Sequence, residues 1–434
     1  MTPSGCFRAS LLAATILIFA AANCPAKHPW QKYEYHGCVL LSDAPEKDAK
    51  EMLVGYSAFR VVYASILPRS QTRTPPPCLT VFRDESELGH CWANSREYRI
   101  ALGFDLDGSN RVAVALINDV PTSLRHLYSE AASDAIAQAH LPLPGWLAFG
   151  AADVFESVEY DAKSAKIGHE ASNLYLQGAG SDVFHPDRPV SLAWRVMFPI
   201  LLSAPTGAED RIRALSAGLP GAKSAGDAAL PILHWDRAKL YAAVSYPWDQ
   251  TIAFPFDANA VRSGITVSPA SEFEVALRLA ELKLGAGNKT GADADLKRAQ
   301  ALAPHDPALL EALARQQLDA GNNERALALY RQAIAAGSTD PRAFLTSASQ
   351  HLDAAGSDGR GSIAEGGAAV DAALSECRRA LDLESNFGPA YIVFGRALTQ
   401  AKTVSESDLA TLNAGLDIPN AENAVRYYRA LIYG

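Results

Sequence analysis

The sequence predicts an α+β domain followed by an all-α solenoid, behind a cleavable leader. Three observations carry this expectation. Residues 1–26 have the layout of an export signal. From about Lys32 to Val267, short apolar runs of strand length alternate with runs at helical spacing. From about Pro269 onward the chain is Ala-rich and repeats with a period of 34 residues. A chain of 434 residues suits two domains of ordinary size, with the division at 27–267 and 268–434.

In the leader, Arg8 supplies a positive start, and Leu11 to Ala22 is uncharged but too short to span a bilayer comfortably. Small residues follow, so cleavage is expected after Ala22 or Ala26. A lipobox ending at Cys24 is the less favoured alternative, because Asn23 is a poor residue before a modified Cys. The mature protein is therefore expected in the periplasm or outside the cell, with no transmembrane segment. Hydrophobic residues make up 48% and charged residues 20%, which excludes a disordered chain. The net charge of −9, with no basic stripe, argues against a nucleic-acid partner. Export implies an oxidising compartment. Cys38 and Cys78 fall on apolar runs that suit neighbouring strands, so a bridge between them is one option; the pairing with Cys91 stays open. No C-x-x-C occurs, so neither a zinc knuckle nor a redox motif is indicated.

Along the first domain, "YHGCVLLSDA" reads as a strand ended by Pro45. "EKDAKEMLVGYSAFRVVYASIL" places Met52, Leu53, Tyr56, Phe59, Val62 and Tyr63 at helical spacing. "CLTVFRD", after Pro75–Pro77, is a second strand. "RIALGFDLDGSNRVAVALIN" is a hairpin turning near Asp107-Gly108, where Gly supplies the positive φ. Its D-x-D-G lacks the further oxygens and closing Glu of a calcium loop. A helix begins near Pro121, Thr122 or Ser123 and ends at Leu141-Pro142. "LPLPGW" is a rigid connector, "WLAFGAADVFESVEYD" a second helix, and "SLAWRVMFPILLS" an apolar segment broken by Pro199. "GLPGAKSAGDAALP" reads as a loop.

In the second domain, Gly287 and Gly321, Ala292 and Ala326, Leu296 and Tyr330, and Ala299 and Ala333 are all 34 residues apart. This register resembles the tetratricopeptide repeat, a helix–turn–helix unit. Small residues such as Ala280, Ala292, Ala314 and Ala326 let paired helices approach, and Leu279, Leu296, Leu313 and Tyr330 fill the space between repeats. A third unit opens at Pro341 with Phe344, is interrupted by "GSDGRGSIAEGGA", and resumes at Ala373, Cys377 and Ala380. A fourth runs from Gly388 to Pro419, and "AENAVRYYRALIYG" is a terminal capping helix. Asn288-Lys289-Thr290 fits a glycosylation sequon but is read as the repeat's turn. Such a solenoid's concave face takes a protein or peptide partner.

The stretch "SEAAS … LPGWLAFGAADVF" resembles the peptidase-MA-like, gluzincin-type family. That family reads H-E-Y-x-H and then an L-P-x-W-L-N-E-G-x-A-E-Y-F run. With Glu130 on the motif Glu, Trp146 falls on the family's Trp without a gap, and Leu147, Gly150, Ala152 and Phe155 also match. The resemblance spans about residues 33 to 265 and implies a zincin-like fold. In a working site, two His one helical turn apart and a Glu from the next helix hold Zn²⁺, and the motif Glu activates its water. Here the His positions are Ser129 and Ser133, and the Glu position is Phe149. Asp153 keeps a carboxylate at the following acidic position, and only Glu130, the general-base position, is retained. Hydroxyls and a phenyl ring do not hold Zn²⁺, so no metal and no cofactor are expected, and Phe149 is expected to plug the vacated cavity. The alternatives are a metal on His126, Glu130 and Asp134, which make a poor tetrahedral cage from one helix face, and a hydrolase with a rebuilt site that uses Glu130. Ser129 and Ser133 lack any nucleophile elbow.

Overall fold

The computed structural model describes residues 29–68, 78–91, 101–106, 109–116, 120–138, 143–168, 193–204, 206–245, 251–357, 363–385, 387–418 and 421–433. The expected leader and Cys24 lie outside them. The described chain is mostly helical, with a small mixed sheet. No helix among these residues is long and apolar enough to cross a membrane.

Six strands form the main sheet: β1 (Gln31–Tyr35), β2 (Cys38–Ser42), β3 (Cys78–Phe82), β4 (Ala101–Leu106), β5 (Ser109–Ala115) and, far along the chain, β9 (Thr266–Pro269). Their order is β4-β5-β3-β2-β1-β9. The central trio β5, β3 and β2 is parallel, and the outer pairings are antiparallel. Strands β1 and β2 are joined by His36-Gly37, both at positive φ (45° and 78°), which matches the twist of a two-residue hairpin. The turn expected at Asp107-Gly108 lies outside the described residues, between strands that pair Leu106 with Ser109.

The crossover from β2 to β3 runs through α1 (Glu46–Ile66). Its apolar stripe, Met52, Leu53, Tyr56, Phe59, Val62 and Tyr63, is buried against Leu40, Leu79 and Val81 of the sheet. A short helix, α2 (Glu85–Gly89), follows β3. Helix α3 (Val120–Gln138) packs on α1 at Gly55, where a Cβ would come within 2.5 Å of Leu124 and 2.8 Å of the Tyr128 hydroxyl. Tyr128 stacks on Phe59 with ring centroids 5.6 Å apart. Helix α4 (Gly145–Phe155) packs on α3, and its Phe155 is fully buried, edge-on to Phe59 at 5.8 Å. Trp146 is a partly buried neighbour of the same core.

Three expectations for this region are corrected. The second helix stops at Phe155, and Glu159-Tyr160 instead form β6, which joins β7 (Ser164–Ile167) and β8 (Ile252–Pro255) in a three-stranded sheet. Pro199 does not break the apolar segment. Helix α5 (Ala193–Leu202) runs through it, because its neighbours Phe198, Ile200 and Leu201 are buried in the core. The Gly/Pro/Ala-rich stretch is largely ordered. After α6 (Ala208–Gly218) comes a 3₁₀ turn at Leu219–Gly221, then α7 (Ala225–Leu233), capped by the Ser224 hydroxyl accepting from Asp227 N. Helices α8 (Arg237–Ser245) and α9 (Ala258–Gly264) complete this half.

Beyond β9 the chain is helical throughout the described residues. Helices pair in sequence: α10 (Glu272–Gly285) with α11 (Lys289–Leu302), α12 (Pro307–Asp319) with α13 (Asn323–Ala335), and α14 (Pro341–Ser357) with α15 (Ile363–Leu383). Lys289 and Asn323, and likewise Pro307 and Pro341, begin equivalent helices 34 residues apart. Ala276, Ala280, Ala292, Ala299, Ala312, Ala314, Ala326 and Ala333 are fully buried, so these helices approach at small side chains. Gly287 and Gly321 adopt φ of 74° and 76° in the turns. Of the insertion expected at 356–368, Gly356 and Ser357 still belong to α14 and Ile363 to Ala368 already belong to α15. Helices α16 (Gly388–Gln400), α17 (Glu406–Ala414) and α18 (Glu422–Tyr433) end the chain.

The two regions share a seam. The face of the sheet opposite α1 carries Phe82, which packs with Leu88, Cys91 and Leu282 of α10. Lys32 pairs with Glu274 at 3.2 Å, and Asn288 Nδ2 donates to the His90 carbonyl at 3.3 Å. The suggested Cys38–Cys78 bridge does not form. The register pairs Cys78 with Val39, so the two thiols fall on opposite faces of the sheet, Cys38 toward α1 and Cys78 toward α10. Among the described residues, none of Cys38, Cys78, Cys91 and Cys377 forms a disulfide.

Candidate functional site

On α3, His126, Ser129, Glu130 and Ser133 lie at i, i+3, i+4 and i+7, and all four are half-buried. On α4, Phe149, Asp153 and its capping residue Glu156 share a face in the same way. Glu156 brings the two faces together, since Ser129 lies close enough to act on its carboxyl. Burial first, then the charge of Asp153, pushes the Glu156 carboxyl up to about 7. Glu130 adds to that rise, while Ser129 and Arg125 oppose it. Burial of its surroundings also raises Asp153, to about 6, but this side chain is exposed and water screens the effect. Glu156 is therefore the group whose proton the geometry holds. His126 is pushed the other way by burial, and by Arg125 beside it.

Sequence reasoning did not single out Glu156. Its signal was the spacing Phe149, Asp153, Glu156, which continues one helix face through the C-cap. Phe149 is placed otherwise than expected. Its side chain is 66% exposed, so it plugs no cavity. The helix start turns it to solvent, while Leu147, Ala151 and Ala152 fill the interior side of α4. The side chain of Asp134 lies outside the described residues, so the His126–Glu130–Asp134 alternative has only its first two members in view. Among the described residues, no group of three His, Cys, Asp or Glu side chains is arranged to hold a metal ion. What the cluster can do chemically is hold and release one proton near neutrality on Glu156, beside a hydroxyl and a second carboxylate.

A second candidate surface lies on the helix pairs. A chain of buried ion pairs crosses them from the seam inward. Arg315 of α12 bonds Glu281 of α10 at 3.0 Å and Asp340 at 3.3 Å, and Asp340 also takes Arg342 of α14 at 3.2 Å. Ser338 donates to Glu311 at 2.5 Å. Glu281, Glu311, Arg315 and Arg342 are each at least nine-tenths buried, so this row knits successive pairs rather than facing an open groove. Outside it, a cavity of about 490 Å³ is lined by Leu284 of α10, Leu296 of α11, Leu313 of α12 and Leu329 of α13, together with both basic (Lys289, Lys297) and acidic (Asp293, Asp319) side chains.

No protein-family model matches the chain, and no curated protein matches it in sequence.

Proposed function

We propose that this chain is an exported, non-catalytic protein: a zincin-like pseudopeptidase domain of the peptidase-MA-like kind, joined to a tetratricopeptide-type module that takes a protein or peptide partner. The observation that carries the reading is the Ser129–Glu156 contact. Where the resemblance asks for the first zinc-binding imidazole there is a hydroxyl, set beside the Glu156 carboxyl. The other two ligand positions hold Ser133 and an outward-turned Phe149, neither of which binds Zn²⁺. The 34-residue recurrence of paired helices supports the module. Its cavity, lined in part by four leucines, rather than the buried ion-pair row, is the surface open to a partner.

The test is the metal content of the mature protein purified from metal-replete medium. Far less than one equivalent of zinc per chain is expected, and one tightly held equivalent overturns the reading. The triple variant Ser129→His, Ser133→His, Phe149→Glu probes the alignment itself. It gains a zinc site if the three positions converge, and a folded variant that binds none counts against the resemblance.

One observation favours a second reading, a hydrolase with a rebuilt site. Glu156, raised to about 7 beside Asp153 and Glu130, is suited to general acid–base work. It predicts a turnover that Glu130→Gln and Glu156→Gln each abolish. A hydrolase substrate panel without any Glu130-dependent activity removes its support.

A further inference from the structure

Of the four described cysteines, three are inert by position. Cys38, Cys91 and Cys377 are almost fully enclosed, and burial pushes each thiol up to about 12. Cys78 differs. It opens β3 on the sheet face turned toward α10, it keeps partial solvent contact, and Nη2 of Arg278 lies against its sulfur. Arg278 is itself nine-tenths buried. Among the described residues its Nε and Nη1 have no hydrogen-bond partner, and Glu281 Oε2, 4.0 Å from Nη1, is too far for a hydrogen bond. The guanidinium whose Nη2 lies against the one accessible thiol in this set thus keeps two further donors without an acceptor among the described residues, and a buried donor without an acceptor is costly.

We propose that Cys78 is a peroxide-oxidised modification site, whose sulfenate is held by Arg278. The Cys78 thiol gives up its proton and the sulfur attacks one oxygen of hydrogen peroxide. The S–O bond forms as the O–O bond breaks. The second oxygen leaves as hydroxide, takes up the released proton and departs as water. Sulfur is oxidised by two electrons and the peroxide is reduced. The oxygen added to Sγ is an acceptor of the kind Arg278 lacks, so oxidation tightens the seam between β3 and α10. Cys38, on the opposite sheet face, is not placed to resolve the product as a disulfide.

The experiment treats the full chain with equimolar hydrogen peroxide in the presence of dimedone and maps adducts by peptide mass spectrometry. The adduct is expected on Cys78 and to vanish in Cys78→Ser. Arg278→Met should slow labelling by roughly tenfold or more, since the cationic donor is what favours the reactive and product states. Arg278→Lys, which keeps the charge but not the planar fork, should fall between the two and guards against a misfolded Met variant. Labelling of Cys78 no faster than that of free glutathione, labelling indifferent to Arg278→Met in a chain that melts normally, or a Cys78–Cys91 disulfide in place of the adduct would each overturn the proposal.

Discussion

Holding the Glu156 proton up to about 7 links this side chain to stability. The folded protein keeps a proton that the unfolded chain, at an ordinary 4.5, has already released. The contribution is fully present below about pH 4.5 and is lost as pH rises through 7. Glu156→Gln should therefore flatten the pH dependence of the urea midpoint between pH 5 and 8 and leave the variant the more stable at pH 8. The gain should be on the order of 1–2 kcal/mol once residual solvent contact is allowed for. A midpoint that falls with the substitution at pH 8 would show that the carboxylate is instead needed there. Arg315 makes the opposite case, because it serves two carboxylates in a site closed to water. Arg315→Met leaves Glu281 and Asp340 under-paired and should cost about 3–5 kcal/mol by denaturant titration. The face shared by Ser129, Glu130 and Ser133 was legible in the sequence, since spacing alone sets it. The partner of Ser129 was not, because only packing turns Glu156 onto α3. Phe149 misled for a related reason: apolar bulk says a ring prefers burial, but not which way a helix start points it.

Among elements, the contact of α1 with α3 has a testable dependence on Gly55. Glycine inside a helix ordinarily costs about 0.5–1 kcal/mol against Ala. Here a Cβ meets the Leu124 methyls and the Tyr128 hydroxyl, so Gly55→Val should lower stability by about 1–3 kcal/mol, read as a drop in Tm. A rise would mean that the two helices have room to part. The helix pairs were legible because a 34-residue recurrence of Ala and Gly survives in the residues themselves. The stretch at 225–233 was not, because its Gly, Pro and Ala content suggests a loop. What makes it a helix is the Ser224 cap and the burial of Ala228, Ala229 and Leu233. The end of α4 at Phe155 was missed likewise. Glu159 and Tyr160 continue a helical composition but find a strand partner in Ala165 and Lys166.

At the scale of the whole molecule, the sheet is covered on one face by α1 and on the other by α10. The N-terminal half is therefore not self-sufficient. A chain ending at residue 270 uncovers Phe82, Leu88 and Cys91, and it should self-associate in light scattering where the full chain does not. Leu282→Ala in the full chain should cost about 2–5 kcal/mol by emptying the same seam. This dependence was hidden from the sequence, whose change of texture near residue 268 suggested only a division into two domains. The connection at that point is also short. Strand β9 lies on β1, Ala270 N still donates to the Trp30 carbonyl at 3.1 Å, and the Ser271–Glu274 capping box starts α10 at once. With no slack in the joint, a tug on the C-terminal helices along the line of β9 would load its rungs to β1 in shear, the direction in which paired strands resist most. The edge strand would then act as a mechanical anchor for the helices.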